Sequence, residues 1–454
     1  MSAAAAAEQA SLERNLRLFV RFRLFFNARF YYPVFTILFL DYGLSLSQFA
    51  ILNAIWALTI VLAEVPSGAL ADLFGRRALL VFASGTMILE MALLAFVPMG
   101  NAVILFLAFL LNRILSGLAE AAASGADEAL AYDSLKALGR EHEWGNLLEK
   151  TTRTLSVGMF AAMITGAFVY DAGALNKALG FLGLEAGLEP SLTIRFPVLL
   201  TLLWAGIAFF TTLRMREVAS GSPERENPEG SDLIRPFKQV FAAARWTLDH
   251  RFVLFVILAA LALDSVARQF VVLASEYYRT IGLSPASFGL IGAGMSLLGI
   301  AGARLGNHLA KRHSPFFNFC FLTVLLTLSL LGTSFTIPGY GVVFAAGSFI
   351  MMSLVGFLSS TYLNRHVDSH RRATVLSFRG LALNLGLGAA SLLYTGWIAF
   401  LRTAAEQDLS GEAVQEIVFS RSLPALPVYL LVLFTLVLLL GRRFIRRSYL
   451  CFRA

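Results

Sequence analysis

The chain has 454 residues, of which 57% are hydrophobic and only 15% are charged, and its formal net charge is +8. A soluble protein averages roughly 25% charged residues. The few charges gather in short clusters between long uncharged stretches, which is the pattern of a polytopic membrane protein. Because the basic residues lie at the ends of apolar segments, we interpret them as determinants of membrane topology. We therefore expect the lipid bilayer, and no nucleic acid, as a partner.

Taken in chain order, twelve apolar segments approach the ~20 residues that a helix needs to cross a bilayer. They lie near 24–41, 47–67, 78–98, 102–124, 154–171, 193–213, 252–274, 285–306, 315–337, 341–362, 374–400 and 424–441. Gly and Pro residues interrupt the polar stretch between the sixth and seventh segments. The sequence predicts an all-α membrane protein with twelve transmembrane helices in two pseudo-symmetric six-helix bundles. The predicted halves are 1–213 and 252–454, joined by a cytoplasmic linker at 214–251.

The connections between the segments predict the orientation in the membrane, because Lys and Arg accumulate in short cytoplasmic loops. Two long connections, 172–192 and 401–423, mix charged and apolar residues, and we expect short surface helices there. These connections lie on the side with few basic residues, which are Lys177, Arg195, Arg279, Arg402 and Arg421. We therefore expect both termini in the cytoplasm and a bacterial inner membrane as the location.

The first segment carries a positive charge at Arg29, within apolar sequence. A continuous helix places Arg29, Tyr32 and Thr36 on one face, and Pro33 can kink the helix beside them. A cation next to an aromatic ring suits a substrate-facing helix that meets a planar anion or a π-system. The alternative is an arginine whose side chain extends to the cytoplasmic interface.

The fourth segment has the most polar residues. Their spacings of 4, 3, 4 and 3 place them on one helix face: Arg113, Gly117, Glu120, Ser124 and Asp127. A charge at the bilayer centre costs at least about 2.5–3.5 kcal/mol, so such residues pair, face water or take part in function. We interpret Arg113 as facing a central cavity, with a structural pair to a neighbouring helix as the alternative. Glu120 is the acid best placed to gain and lose a proton.

Charged residues also occur in the seventh and eleventh segments. Asp264 and Arg268 lie four residues apart near mid-span, in the order that favours an intrahelical pair. A self-neutralised pair and a role in the cavity are both compatible with this pattern. Arg379 lies near the cytoplasmic end of the eleventh segment, and we expect it to belong to a gate. Glu64 is a candidate partner for Arg379 or for Arg29.

The loop between the second and third segments has the sequence Gly-Ala-Leu-Ala-Asp-Leu-Phe-Gly-Arg-Arg, from Gly68 to Arg77. Gly75 permits a turn that a residue with a Cβ would resist. With Gly68, Asp72, Gly75, Arg76 and Arg77 in register, the loop resembles the signature loop between the second and third transmembrane helices of the major facilitator superfamily.

Two further stretches extend this resemblance. Arg113 and Gly117 resemble the fourth-helix motif of the superfamily, and residues 303–312 form a degenerate copy of the Gly68–Arg77 loop. The resemblance implies a secondary transporter whose two bundles open alternately to either face of the membrane. It also implies that the Gly68–Arg77 loop is a cytoplasmic latch, in which Asp72 contacts the eleventh helix and stabilises the outward-facing state.

The resemblance leaves the substrate and the direction open. Exporters of this superfamily usually have a Gly-Pro motif in the fifth helix, and here Gly158 and Gly166 are present without the proline. Our favoured hypothesis is proton-coupled efflux of small organic solutes or drugs. The alternative is uptake or exchange of an organic anion, supported by Arg29, Arg113 and Arg268. A transport-inactive scaffold or receptor is the alternative of a different class.

Enzymatic activity is not predicted, because the sequence has no nucleophile–base or metal constellation. It also has no phosphate-binding glycine loop with its lysine, and we therefore expect that ATP does not drive the protein directly. His366 and His370 are four residues apart but have no nearby Cys or carboxylate cluster. We expect no cofactor and no metal, a small molecule and H+ as ligands, and a monomer. Glu90, in the third segment, is interpreted as a packing or lipid contact.

Overall fold

The chain folds as an all-helical membrane protein. The computed structural model describes residues 3–218, 235–367, 369–405 and 412–448, and every regular element in these ranges is a helix. Inside a bilayer only helices or closed barrels satisfy their own backbone groups, and long apolar runs therefore become helices. Within the described residues, eleven helices are long and apolar enough to cross a membrane. The protein is therefore a multi-pass integral membrane protein.

Within the described ranges, eighteen α-helices follow one another along the chain. They are α1 (Ala3–Asn27), α2 (Phe35–Asp41), α3 (Leu46–Phe74), α4 (Arg76–Phe96), α5 (Ala102–Ala123), α6 (Ala126–Ala137), α7 (Trp144–Tyr170), α8 (Ala172–Phe181), α9 (Pro190–Thr193), α10 (Phe196–Leu213), α11 (Arg235–Asp249), α12 (Arg251–Thr280), α13 (Pro285–Arg312), α14 (Pro315–Ser334), α15 (Gly341–His366), α16 (Ser369–Ala405), α17 (Glu412–Ser422) and α18 (Ala425–Ser448). The two long connections do contain short helices, α8 and α9 in the first and α17 in the second; their position at the membrane surface stays a prediction.

The helices form two compact units. The first unit comprises Met1–Pro33 and Thr59–Phe237, and the second comprises Val34–Leu58 and Lys238–Ala454. The core of the first unit combines aromatic residues of α1 with alanines of α5 and α10. Small residues let helix backbones approach closely in a membrane protein. The predicted division into 1–213, 214–251 and 252–454 stays a prediction; the segment 214–251 contains α11, and 219–234 lie outside the described residues.

The first predicted segment is not the continuous helix expected over 24–41. Helix α1 ends at Asn27, a 3₁₀ turn spans Tyr32–Val34, and α2 begins at Phe35. Pro33 lacks a backbone N–H and disfavours the helical conformation of the residue before it. The expectation that Arg29, Tyr32 and Thr36 share a face is therefore wrong.

The two sides of this break belong to different units. Arg29 is part of the first unit, whereas Thr36 is part of the second. There the Thr36 N–H donates to Ser275 Oγ at 2.9 Å, and the Thr36 hydroxyl donates to the carbonyl oxygen of Val272 on α12. The hydrogen bonds of Thr36 thus fix α2 on α12.

The fourth predicted segment is also interrupted. Helix α5 ends at Ala123, and Gly125 has a φ of +75°, a conformation that glycine adopts readily. Helix α6 then starts on a new axis, so the expected single face from Arg113 to Asp127 is wrong beyond Glu120. Asp127 instead forms an ion pair with Arg23, with 2.5 Å between Oδ2 and Nε.

Candidate functional site

A buried ion pair lies in the first unit, between Arg29 and Glu90. Arg29 Nη1 is 2.7 Å from Glu90 Oε1, and the two side chains are 2% and 0% exposed. The same nitrogen donates to the hydroxyl of Tyr31 at 3.0 Å. Arg29 reaches Glu90 because it lies in the break between α1 and the 3₁₀ turn. The partner is therefore Glu90 and not Glu64, and the interpretation of Glu90 as a packing or lipid contact is wrong.

Glu90 is held by α5. Asn112 Nδ2 donates to the backbone oxygen of Glu90 at 2.9 Å. The other side of the same amide, Asn112 Oδ1, accepts from Arg113 Nε at 3.2 Å and from Nη2 at 3.1 Å. Arg113 is only 4% exposed. The Asn112 side chain thus connects the third and fourth predicted segments, and the role of Arg113 in a substrate cavity stays a prediction.

Several polar atoms of this pair have no partner. Arg29 Nε, Arg29 Nη2 and Glu90 Oε2 are buried and make no hydrogen bond within the part of the chain that the structure describes. Most buried polar atoms in proteins are satisfied, so such a group points to a bound water or ligand. The Arg29–Glu90 pair is therefore the strongest candidate site in the first unit.

Glu120 lies beside this pair on α5. It is half-buried, and the charged groups that act on it are Arg29, Glu90 and Arg23, in decreasing order of strength. Glu64 is also within electrostatic reach of Glu120. The sequence pattern instead associates Glu120 with Arg113, which lies seven residues earlier, about 10 Å along a helix axis. The arginine that acts most strongly on the charge of Glu120, Arg29, thus comes from a different segment.

Tyr32 borders the same region. Its ring is 38% exposed and packs edge-on against the ring of Tyr31, with 5.4 Å between the ring centroids. The hydroxyl of Tyr31 in turn accepts a hydrogen bond from Arg29 Nη1. Of the residues predicted for the cavity, the structure brings Arg29, Tyr32 and Glu120 together in the first unit.

A second cluster of charges lies in the second unit. Arg268 Nη2 forms an ion pair with Asp264 Oδ2, as the four-residue spacing predicted, and Arg268 Nη1 donates to Asn384 Oδ1 at 3.0 Å. Arg379 on α16 is within electrostatic reach of both Asp264 and Arg268. Its expected role in a gate stays a prediction.

The Gly68–Arg77 loop is organised around an acid that the sequence analysis did not identify, Glu217. Gly75 has a φ of +92°, and a Cβ there would lie 2.7 Å from Glu217 Oε2. The two carboxylate oxygens of Glu217 accept the backbone N–H groups of Arg76 and Arg77 at 3.1 and 2.8 Å. Glu217 therefore caps the amino terminus of α4, where a negative charge is favoured.

The arginines of the loop bind within the first unit. Arg76 forms an ion pair with Asp133 of α6, and Arg77 Nη2 donates to the carbonyl oxygen of Leu213 at 3.0 Å. At Gly68 no atom of the described residues lies within 4 Å of a Cβ position. The side chain of Asp72 lies outside the described residues, and the latch role of the loop stays a prediction.

The family follows from the sequence as a whole. A profile of the Major Facilitator Superfamily matches residues 18–391. The chain belongs to the major facilitator superfamily. It is therefore a membrane transporter and not an enzyme, and transporters of this superfamily bind small-molecule substrates. No curated protein sequence matches the chain.

The fold is similar to those of solved transporters. The nucleoside transporter NupG is 12% identical, with a TM-score of 0.67 over 95% of this chain and 99% of that one. A bacterial homologue of the human lysosomal transporter Spinster is 16% identical, with a TM-score of 0.64 over 99% of both chains. A D-xylose–proton symporter is 14% identical, with a TM-score of 0.56 over 94% and 97%. These similarities establish the major facilitator fold.

Proposed function

We propose that this transporter exports small organic solutes by alternating access and that Glu120 carries the coupled proton. The observation that supports the proposal is the position of Glu120 beside the Arg29–Glu90 pair. Arg29 is already bonded to Glu90 at 2.7 Å, so Glu120 has no arginine of its own. Within the described residues it also makes no hydrogen bond through its side chain, whereas Glu90 does.

The protonation state of a carboxyl group that has no ion-pair partner depends on how much water surrounds it. In a water-poor site its neutral form is favoured, whereas water around the site stabilises the ionised form. Alternating access changes the hydration of a central cavity in each half-cycle. Glu120 can therefore take up a proton on one side of the membrane and release it on the other.

The direction that we propose is export across a bacterial inner membrane, with both termini in the cytoplasm. The fifth-helix glycines, which here lack the proline of the exporter motif, pack tightly on the first segment. A Cβ at Gly158 would lie 2.0 Å from Leu24 Cδ1, and a Cβ at Gly166 would lie 1.7 Å from the carbonyl oxygen of Phe30. Because Phe30 follows Arg29, movement of α7 is coupled directly to the buried pair.

The proposal is tested with Glu120→Gln, which removes the titration while preserving size and hydrogen bonding. The substrate is first taken as the solute that most raises the melting temperature of the purified protein, in a panel of sugars, nucleosides, organic acids and cationic dyes. In proteoliposomes we expect Glu120→Gln to exchange this solute at a parental rate but to lose accumulation driven by a pH gradient. The pH dependence of its affinity should also disappear.

Glu189→Gln provides the matched control, because Glu189 lies in the connection before α9, outside the charged clusters. This variant should accumulate the solute like the parent. If Glu120→Gln also concentrates the solute like the parent, Glu120 is not the coupling acid, and Asp264 is tested next by the same measurements.

A further inference from the structure

We propose that the transported solute is an organic anion whose carboxylate binds Arg379 and Arg268 in the second unit. The inference deepens the proposed function and rests on it, since it names the substrate class of a transporter. It differs from the sequence-based anion hypothesis in its residues, because Arg29 and Arg113 are not part of the site.

The cluster carries an excess positive charge. Asp264 is the one acid among the described residues within electrostatic reach of both Arg268 and Arg379. Arg268 is bonded to that acid and to the neutral amide of Asn384. Two guanidinium groups therefore share a single carboxylate, and one positive charge has no counterpart in the described part of this unit.

Both arginines also have unused hydrogen-bond donors. Arg268 Nε and Arg379 Nε are buried and have no acceptor among the described residues. The remaining Arg379 nitrogens likewise make no hydrogen bond or ion pair there. An arginine in a membrane-spanning helix normally pairs with an acid or faces a functional cavity, because its desolvation is costly. The missing partner of Arg379 is therefore expected to be a ligand.

The chemistry of the missing partner follows from the geometry of arginine. A guanidinium group presents its donors as a planar fork that matches a carboxylate with two parallel hydrogen bonds. A single carboxylate also neutralises the excess charge, whereas a dianion would leave the cluster negative. The structure thus favours a monovalent organic acid over a phosphorylated solute.

The first unit provides the contrast that excludes Arg29 from this role. The positive charge of Arg29 is neutralised by Glu90 at 2.7 Å, and Glu120 lies nearby as a further acid. A carboxylate ligand would meet two acids there. The two units therefore have different tasks in our proposal: the first holds the proton and the second holds the anion.

The test uses the full-length protein in detergent and pairs of ligands that differ mainly in charge. The pairs are benzoate and benzamide, nicotinate and nicotinamide, and lactate and lactamide, measured by thermal unfolding at constant ionic strength with chloride as the background anion. We expect at least one acid to raise the melting temperature more than its amide does. If every acid acts like its amide, or if sulfate gives the same rise, the proposal is wrong.

Two variants in the same cluster have opposite expected effects. Arg379→Gln removes the excess charge and should weaken binding of the acid by at least about tenfold, since hydrogen bonds to charged groups are strong. Asp264→Asn increases the excess charge and should tighten binding of the acid several-fold. A merely structural cluster would lose affinity in both variants, and that result would overturn the proposal.

Further variants, measured in the same assays, separate a failure of the anion site from a failure of the proton coupling. Arg379→Lys keeps the charge but loses the fork, and should retain part of the affinity; Arg421→Gln, at the end of α17, should bind like the parent. Glu120→Gln at fixed pH should also bind the acid. If Arg379→Gln binds normally while Glu120→Gln loses gradient-driven accumulation, the anion site is wrong and proton coupling stands. The reverse pattern leaves the anion site and excludes Glu120.

Discussion

A buried guanidinium needs a counter-charge, and at Arg29 Glu90 provides it. Both side chains are almost fully enclosed, so neither charge is stabilised by bulk water. The attraction between two buried charges roughly offsets the cost of removing them from water, whereas a single unpaired charge has no such compensation. The pair therefore contributes little net stability while it is intact and becomes a large defect when one member is lost.

We expect Glu90→Gln to lower the stability of the purified protein by about 3–5 kcal/mol, the range for breaking a buried pair. The measurement is the melting temperature in detergent. Glu64→Gln is the control, because Glu64 is only half-buried and forms no ion pair within the described residues, and its effect should stay within about 0.5 kcal/mol. The double variant Arg29→Gln with Glu90→Gln should be more stable than Glu90→Gln alone. A double variant that is less stable would mean that the pair is not the source of the effect.

The sequence identified one member of this pair and not the other. Arg29 is conspicuous as a charge in an apolar segment, but its partner lies 61 residues away. That pairing depends on how α4 packs against the break after α1, which no local pattern encodes. A usable indication was present, since Glu90 is the single acid of α4 and lies far from the two arginines that begin this helix, and a charge inside an apolar stretch is costly without a partner.

At the scale of the secondary-structure elements, the start of α4 shows how one acid organises a turn. The four N–H groups at a helix start lack partners within the helix. Glu217 accepts two of them and lies directly over Gly75, whose φ is +92°. Glycine is needed there for two separate reasons: the backbone conformation and the space that Glu217 occupies.

The stability costs of Gly75→Ala and Gly100→Ala, compared with each other, distinguish these two reasons. Gly100 has a φ of +99° but nothing within 4 Å of a Cβ position, so Gly100→Ala measures conformational strain alone, about 1–2 kcal/mol. We expect Gly75→Ala to cost about 1 kcal/mol more, because the new methyl group displaces the cap. Melting temperatures of the two variants provide the comparison. In a Glu217→Ala background, Gly75→Ala should cost no more than Gly100→Ala; an undiminished excess would contradict the assignment of the cap.

The elements were largely predictable, and their interruptions were not. Runs of about twenty apolar residues must become helices in a bilayer, so hydropathy alone locates them. The breaks at Asn27 and Gly125 depend instead on single residues whose local preference competes with the helix. Proline and glycine are tolerated inside many membrane helices, and packing decides whether such a residue, here Pro33 or Gly125, kinks a helix or ends it. This is why the single face predicted from Arg113 to Asp127 was wrong.

At the scale of the whole molecule, the two charge clusters that carry our proposals lie one in each compact unit, and they differ in their balance of charge. In the first unit Arg29 has its own acid and Glu120 lies nearby; in the second, two arginines share Asp264. Aligning the halves as repeats predicts similar sites in both, yet the residue types differ. The proposed separation of the proton site from the anion site follows from this asymmetry. Whether the transporter exports or imports its solute then depends on which way the protein is oriented in the membrane.

The orientation is the last prediction, and it follows from the basic residues at the helix ends. Short loops that are rich in Lys and Arg stay on the cytoplasmic side of the membrane. Arg76 and Arg77 begin α4, and Lys136 lies in the last turn of α6, so these helix ends are predicted to be cytoplasmic. The end of α16 carries only Arg402 and is predicted to be external.

Truncation fusions to alkaline phosphatase, which is active outside the cytoplasm, and to green fluorescent protein, which is fluorescent inside it, test this assignment in bacteria. Fusions after Leu138 and after Ala454 should be fluorescent and have no phosphatase activity, and a fusion after Ala405 should have the opposite result. The fusion after Leu138 is the internal control, because it lies only one residue beyond α6. A phosphatase-active fusion after Ala454 together with a fluorescent one after Ala405 would invert the topology. The Gly68–Arg77 loop would then face the exterior, and the proposed export would become uptake.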